Sequence, residues 1–274
     1  YKICKKCTHI QASQTLKYEG PVFDEIYPEL DLEEWNSRRD RIYLPKLDWI
    51  LESFEALSVN NQILSSSWLD LGSGAGYFLD ALKKRGIENF VGIEEDPLLV
   101  DRANKKFQSE VIFSPEKSLE LINDKSLGVI TSWFVLEHLF QPWNVLDQIS
   151  SKEKGTYFAF SVPTFGFSTL LDDISSEHAA RTLDGFVHRQ IYTDKSIAYL
   201  LDKMRYKKVS EWVFGQDALD LKRMILSRLS KKTLSETDTF FDIKEKIGNL
   251  VDPIQEAIDK NHFSDSRHIL SLKE

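Results

Sequence analysis

Two rhythms of apolar residues alternate along this chain, short unbroken runs and stripes at helical spacing, and their order predicts an α/β fold. Residues 68–71 read as a short strand, Phe78, Leu79 and Leu82 share one helical face, and residues 90–93 make the next strand. Ahead of this unit, Leu47, Ile50, Leu51 and Phe54 fall at i, i+3, i+4 and i+7, the pattern of an amphipathic helix packed on a domain. Behind it, Asp96 and Pro97 read as a helix start with Leu98, Val100, Ala103 and Phe107 as its apolar stripe, and strands follow at 111–113 and 127–132. Trp143, Val145, Leu146 and Ile149 mark another helix, and 156–162 a buried fifth strand. Ile197, Leu200, Leu201 and Met204 mark a helix capped by Thr193 or Asp194, and 208–214 is the sixth strand. The run 267–273 alternates as an antiparallel seventh strand would. Between the sixth and seventh strands, Leu221, Met224, Ile225 and Leu229 predict one helix, and Ile243, Ile247, Leu250 and Val251 a second. Asp252-Pro253-Ile254-Gln255 then reads as N-cap, N1 proline and capping-box Gln of a third. The expected architecture is a seven-stranded, mostly parallel sheet with helices on both faces, an antiparallel last strand and a helical insertion before it.

Candidate chemistry gathers where the first strand turns. Asp70 stands near the strand's end, and Gly72, Gly74 and Gly76 let the backbone turn tightly and approach a ligand. The second strand ends in Glu94, about twenty residues on, where an acid can accept hydrogen bonds from both ribose hydroxyls of a nucleoside. A dinucleotide fingerprint needs a small residue at the position that Tyr77 occupies, which disfavours a nicotinamide dehydrogenase.

The run D-x-G-x-G-x-G resembles motif I of the class I S-adenosylmethionine-dependent methyltransferases, which implies a Rossmann-like methyltransferase fold and that cofactor, with S-adenosylhomocysteine as product. The resemblance puts Asp70, Gly72, Gly74 and Gly76 on the methionine part of the cofactor and Glu94 on its ribose, with Trp133 at the end of strand four beside it. Relatives place an acid after the third strand for the adenine; here Ser114-Pro115-Glu116 leaves Glu116 for that role. Gly128 stands where the family usually opens the fourth strand with Asp. Leu136-Glu137-His138-Leu139 matches the L-E-H-L signature of small-molecule members, at the carboxyl end of strand four where open α/β sheets bind ligands. His138 and His188 are the candidate bases, Glu137 their acidic companion and His178 a third choice, each weighed against a structural or packing role. Residues 164–192, a long connection that also carries Arg181, Asp184, Arg189 and Tyr192, lie where relatives vary to recognise their acceptor.

Charge narrows the partners. Lys and Arg number 35 against 43 Asp and Glu in 274 residues, a net charge of -8, so nothing draws the chain generally to nucleic acid or an anionic membrane. No apolar run is long enough to span a bilayer and no leader is seen, so the expected location is the cytoplasm, with a small polar metabolite, most simply a sugar or nucleotide-linked sugar, as acceptor.

The only two cysteines form Cys4-x-x-Cys7 with His9 close behind. They could clamp one side of a tetrahedral zinc, but a structural site needs four ligands, so no metal site is assigned. A reduced thiol pair and a redox motif remain open. Several methyltransferases of this type carry a cysteine knuckle ahead of the core, and residues 1–17 are expected to be the remnant of one, in a chain that was processed or has lost an upstream piece. Residues 18–60 would be a helical cover with Tyr27, Trp35 and Tyr43 as lid or packing aromatics, and Arg38, Arg39 and Arg41 on a solvated face or meeting substrate. The core would span 61–215, the helical insertion 216–262 and the last strand 263–274. The insertion would wall the acceptor pocket or make a homodimer contact, or serve as the interface of a non-catalytic scaffold that keeps the fold.

Overall fold

The computed structural model describes residues 1–13, 31–59, 63–174, 188–230 and 238–274, with the backbone alone for 172–174. Tyr27, His178, Arg181 and Asp184 lie outside the described residues. In chain order, a hairpin of β1 (Lys2–Ile3) and β2 (Ile10–Gln11) comes first, then α1 (Leu32–Arg38), a single π-helical turn (Arg39–Tyr43) and α2 (Leu44–Ala56). The core follows as β3 (Ser67–Leu71), α3 (Tyr77–Lys84), β4 (Phe90–Ile93), α4 (Pro97–Phe107), β5 (Ile112–Phe113), α5 (Ser118–Ile122), β6 (Leu127–Trp133), α6 (Trp143–Ser150) and β7 (Tyr157–Pro163). After α7 (Phe167–Ile174) come β8 (Gln190–Ile191), α8 (Asp194–Met204), β9 (Tyr206–Phe214), α9 (Asp217–Ser230), α10 (Asp238–Lys260) and β10 (Ser266–Lys273).

Seven strands form one sheet in the order β5-β4-β3-β6-β7-β10-β9, parallel except for β10, which runs against both β7 and β9. The period of two sorts each buried strand between two cores. Trp68, Val129, Ala159 and Leu270 pack on one face with Leu47, Ile50 and Phe54 of α2 and Phe78 and Leu82 of α3. Leu69, Ile130, Phe158, Phe160 and Ile269 pack on the other with Leu146 of α6 and Ile197 and Leu201 of α8. Each of the buried Leu, Ile, Val and Phe side chains contributes about 2 kcal/mol. Thr193 caps α8 and accepts from the Ser196 amide, one of the two caps the sequence allowed.

Three local expectations change. The stripe on α4 is misphased: Leu99 and Ala103 are buried, four residues apart, whereas Leu98 faces solvent. The helix over residues 243–251 does not end before Asp252. Instead α10 runs unbroken through Pro253, whose exposed position lets water satisfy the carbonyl that loses its amide partner. Gln255 therefore does not cap a helix; it bridges α9 and α10, accepting from the Ala218 amide at 3.0 Å and donating to Asp217 at 3.2 Å. Glycine at 128 has a packing reason, since a Cβ there would stand 2.6 Å from Ser66 Cβ.

The hairpin does not stand apart. β2 pairs with β8, giving a second, three-stranded sheet that fastens the Cys4–Cys7 turn to the segment carrying His188. Thr8 and Thr193 hydroxyls meet at 2.6 Å, and His9 Nε2 lies 2.7 Å from Gln190 Oε1. Both cysteines are free thiols. None of the helices among the described residues is long and apolar enough to cross a membrane.

Candidate active site

Parallel strands aim their carboxyl ends at one edge, and there the loop after β3 meets the ends of β4 and β6. The Gly72 and Ser73 amides donate to the Ile93 carbonyl at 2.8 and 2.9 Å, and the Ser73 hydroxyl donates to the Asp70 carbonyl at 2.8 Å. Gly72 has φ +72°, and an added Cβ would overlap Val135 Cγ2, so this turn requires glycine twice over. Gly76 caps α3. Glu94 locks the loop from the other side: one carboxylate oxygen accepts from the Gly74 amide at 2.7 Å, the other from the Glu95 and Asp96 amides at 2.8 and 3.0 Å.

Asp70 is fully buried, with Thr131 Oγ1 donating to it at 2.6 Å. Burial pushes its carboxyl up from 3.8 to about 7, against the Thr131 hydrogen bond and the attraction of Lys46. Lys46 is the residue that sequence reading missed. It continues the Ile50–Phe54 stripe four residues toward the start of α2, a lysine on an apolar face, and that was the available signal. Its ammonium lies 5.0, 5.1 and 5.3 Å from the ring centroids of Tyr43, Trp133 and Phe134. Burial pulls it down from 10.5 to about 8, with Asp70 and Glu137 opposing.

Beside it, His268 of β10 is ringed by Trp49, Trp133, Phe134, Trp212 and Phe214, with centroids 4.3–6.1 Å away. Its Nδ1 pairs with the Ser161 hydroxyl, and burial holds the ring well below its ordinary value, hence neutral. The alternation of β10 carried it into the sheet without marking it as anything but a strand residue.

At the end of β6 the chain turns through Phe134, whose φ of +56° costs a non-glycine residue on the order of 1–3 kcal/mol and is the sort of strain that gathers at functional sites. The turn sends Glu137 inward. Its carbonyl accepts from the Arg189 and Gln190 amides at 2.8 and 3.0 Å, so two distant segments are stitched together at this residue. The stitch brings His138 and His188 face to face, with ring centroids 5.4 Å apart and planes 23° from parallel. His138 Nε2 lies 3.8 Å from Glu137 Oε1. Burial raises the Glu137 carboxyl from 4.5 to about 8, and burial together with the Glu137 charge raises the Tyr192 phenol.

The three residues chosen for acceptor chemistry thus come together, while Glu116 stands apart, exposed on a 3-10 turn after β5 and lowered by hydrogen bonds from Ser114 and its own backbone. Trp35 and Tyr43 pack on Tyr77, at 4.2 and 5.6 Å, and Trp35 Nε1 donates to Asp80 at 2.8 Å. Arg39 also reaches Asp80, at 2.9 Å. A surface depression lined by Lys125, Lys152 and Gly155 lies at the opposite, amino edge of the sheet and holds none of these groups.

The residues present fit an S-adenosylmethionine site. Ser132 Oγ, Trp133 Nε1 and Tyr192 OH are buried with no hydrogen-bond partner among the described residues, and all belong to the β6 end or to the segment facing it. Buried polar atoms are rarely left so, and a polar ligand would satisfy them.

A family profile described as a methyltransferase domain matches residues 36–211, well over half the chain. Among solved structures, magnesium protoporphyrin IX methyltransferase from Synechocystis PCC 6803, with bound S-adenosylhomocysteine, is similar with a TM-score of 0.54 at 12% identity, over 92% of this chain and 93% of that one. A candidate sarcosine dimethylglycine methyltransferase from Galdieria sulphuraria is similar with a TM-score of 0.50 at 14% identity, over 84% and 86%. No curated protein matches the sequence.

Proposed function

We propose that this chain, which belongs to the S-adenosylmethionine-dependent methyltransferase family, methylates a hydroxyl of a small polar metabolite, most simply a sugar or nucleotide-linked sugar. S-adenosylmethionine supplies a methyl group on a cationic sulfur and leaves as S-adenosylhomocysteine. In this reading Asp70 and the Gly72–Gly74–Gly76 backbone hold the methionine end, and Glu94 accepts from a ribose hydroxyl with the one lone pair its three backbone donors leave. Trp133 offers its free indole N–H from the floor. Glu116, exposed after β5, is kept for the adenine amino group.

The observation that carries the acceptor half is the meeting of Glu137, His138 and His188 beside the end of β6. A displacement at carbon is mostly a matter of alignment, and holding both reactants in line is worth on the order of 7–11 kcal/mol. An imidazole within reach of the acceptor hydroxyl adds a base matched to neutral pH. The ring faces of Trp49, Trp212 and Phe214 near His268 supply flat apolar surface on which a sugar ring could stack.

The test is incubation with methyl-labelled S-adenosylmethionine and separate pools of free sugars, nucleotide-linked sugars, amines and carboxylates. Label in a sugar ether supports the reading; label only in amines or esters overturns the acceptor class while leaving the enzyme class intact.

A further inference from the structure

We propose that Glu137, His138 and His188 form a binding site for one divalent transition-metal ion, which would hold and acidify the acceptor hydroxyl. One ligand atom from each residue, two imidazole nitrogens and a carboxylate oxygen, lies within 4.8 Å of the other two. Atoms bound at about 2.1 Å to a common ion stand at most about 4.2 Å apart, so the cluster has to tighten by only about 0.6 Å. His138 is the exposed member, His188 is half-buried and Glu137 is buried.

The independent observation is Glu137 itself. It is wholly buried, neither carboxylate oxygen accepts a hydrogen bond among the described residues, and the His138 ring lies 3.8 Å from one of them. A buried carboxylate without donors is costly, and buried charges are ordinarily paired or metal-bound. Its position is held by the backbone, because the carbonyl of the same residue is bonded by the Arg189 and Gln190 amides. Burial then keeps the carboxylate from water.

Two imidazoles and one carboxylate suit manganese, iron, cobalt or zinc in the divalent state better than magnesium or calcium, which prefer all-oxygen shells. Three protein ligands leave open positions. This role rests on the hydroxyl-acceptor reading above. With both imidazoles bound to the ion, the acceptor hydroxyl held there gives its proton to water in place of a histidine base; its oxygen then bonds to the methyl carbon as the carbon–sulfur bond breaks, with the electron pair staying on sulfur. The products are the methyl ether, the thioether and one proton.

The experiment titrates chelator-stripped protein with Mn(II) by calorimetry and with Co(II) by visible absorption. It compares the wild type with Glu137→Gln, His138→Ala, His188→Ala and the double variant Cys4→Ser, Cys7→Ser. Thermal unfolding checks that each variant folds, and S-adenosylhomocysteine titration of the wild type checks the cofactor site separately. The expected result is one ion per chain, weakened in each of the three site variants beyond the roughly 10- to 100-fold that outer-shell changes cost, and unchanged in the cysteine variant. No metal binding by a wild type that still binds S-adenosylhomocysteine overturns the metal site alone. Binding that survives Glu137→Gln and His188→Ala but is lost without the cysteines moves the ion to the hairpin and overturns it equally.

Discussion

Replacing Asp70 by Asn should make the ligand-free protein more stable and the cofactor site worse. Asp70 is fully buried, and its carboxyl is raised from 3.8 to about 7 chiefly by that burial. At about 1.4 kcal/mol per unit of pKa, keeping it ionised above pH 7 costs the fold about 4 kcal/mol. The sign follows from the proton count. Between about pH 4 and 7 the native state holds a proton that the unfolded chain has released, so stability is lost as pH rises through that window. Asn keeps an oxygen for the 2.6 Å bond from Thr131 and carries no charge. Denaturant unfolding of both proteins without ligand at pH 5 and pH 8 is the assay. The wild type should lose about 2–3 kcal/mol between the two from this group, and the variant should lack that part of the slope and be the more stable at pH 8. Titration with S-adenosylhomocysteine should show weaker binding by the variant. Equal slopes, or a less stable variant at pH 8, would refute the argument that the site stores this strain.

Gly72→Ala, with a positive φ and a clash on Val135, should cost roughly 3 kcal/mol, whereas Gly74→Ala, at φ +55° with nothing within 4 Å of the new Cβ, should cost about 1; comparative thermal unfolding checks the gap. Glu94→Gln gives up charge at three backbone donors, one of them the Gly74 amide, and should weaken S-adenosylhomocysteine binding by roughly 10- to 100-fold in calorimetry. Pro253→Ala restores the missing amide in the middle of α10 and should raise stability by about 1–3 kcal/mol, read from denaturant unfolding; an unchanged midpoint would mean that the helix does not run through this position.

The elements that could be read from the sequence are those whose signals are local. β3, the glycine turn, α3 and β4 announce themselves within thirty residues because a buried strand, a backbone without Cβ atoms and an apolar helix face each leave their own pattern. Asp70 and Glu94 follow from that frame. Leu98 was misassigned because three neighbouring apolar residues, Leu98, Leu99 and Val100, fit more than one helical phase, and the Asp96 cap set the one that buries Leu99. Pro253 reads as a helix start because a proline removes an amide bond and crowds the preceding turn, yet α10 runs through it on an exposed stretch where water reaches the carbonyl left over. Lys46 and His268 stayed hidden for another reason: each is ordinary on its own element, and its surroundings come from α2, β6, β9 and β10 together. The pairing of β2 with β8 joins two-residue strands, too short for any periodicity to declare.

That last pairing bears on the order in which the fold assembles. The hydrogen bonds that seat the hairpin join residues 181 to 187 positions apart, Tyr1 to His188, Thr8 to Thr193 and His9 to Gln190. A two-stranded ribbon this small does not persist alone in water, so the hairpin finds its place only once the segment it pairs with has been set by the core. The loop it closes is long, and its closure entropy must be met after the sheet has formed. Until then the strip of backbone that carries His188 lacks its β2 partner, and the site is complete only when the hairpin has docked.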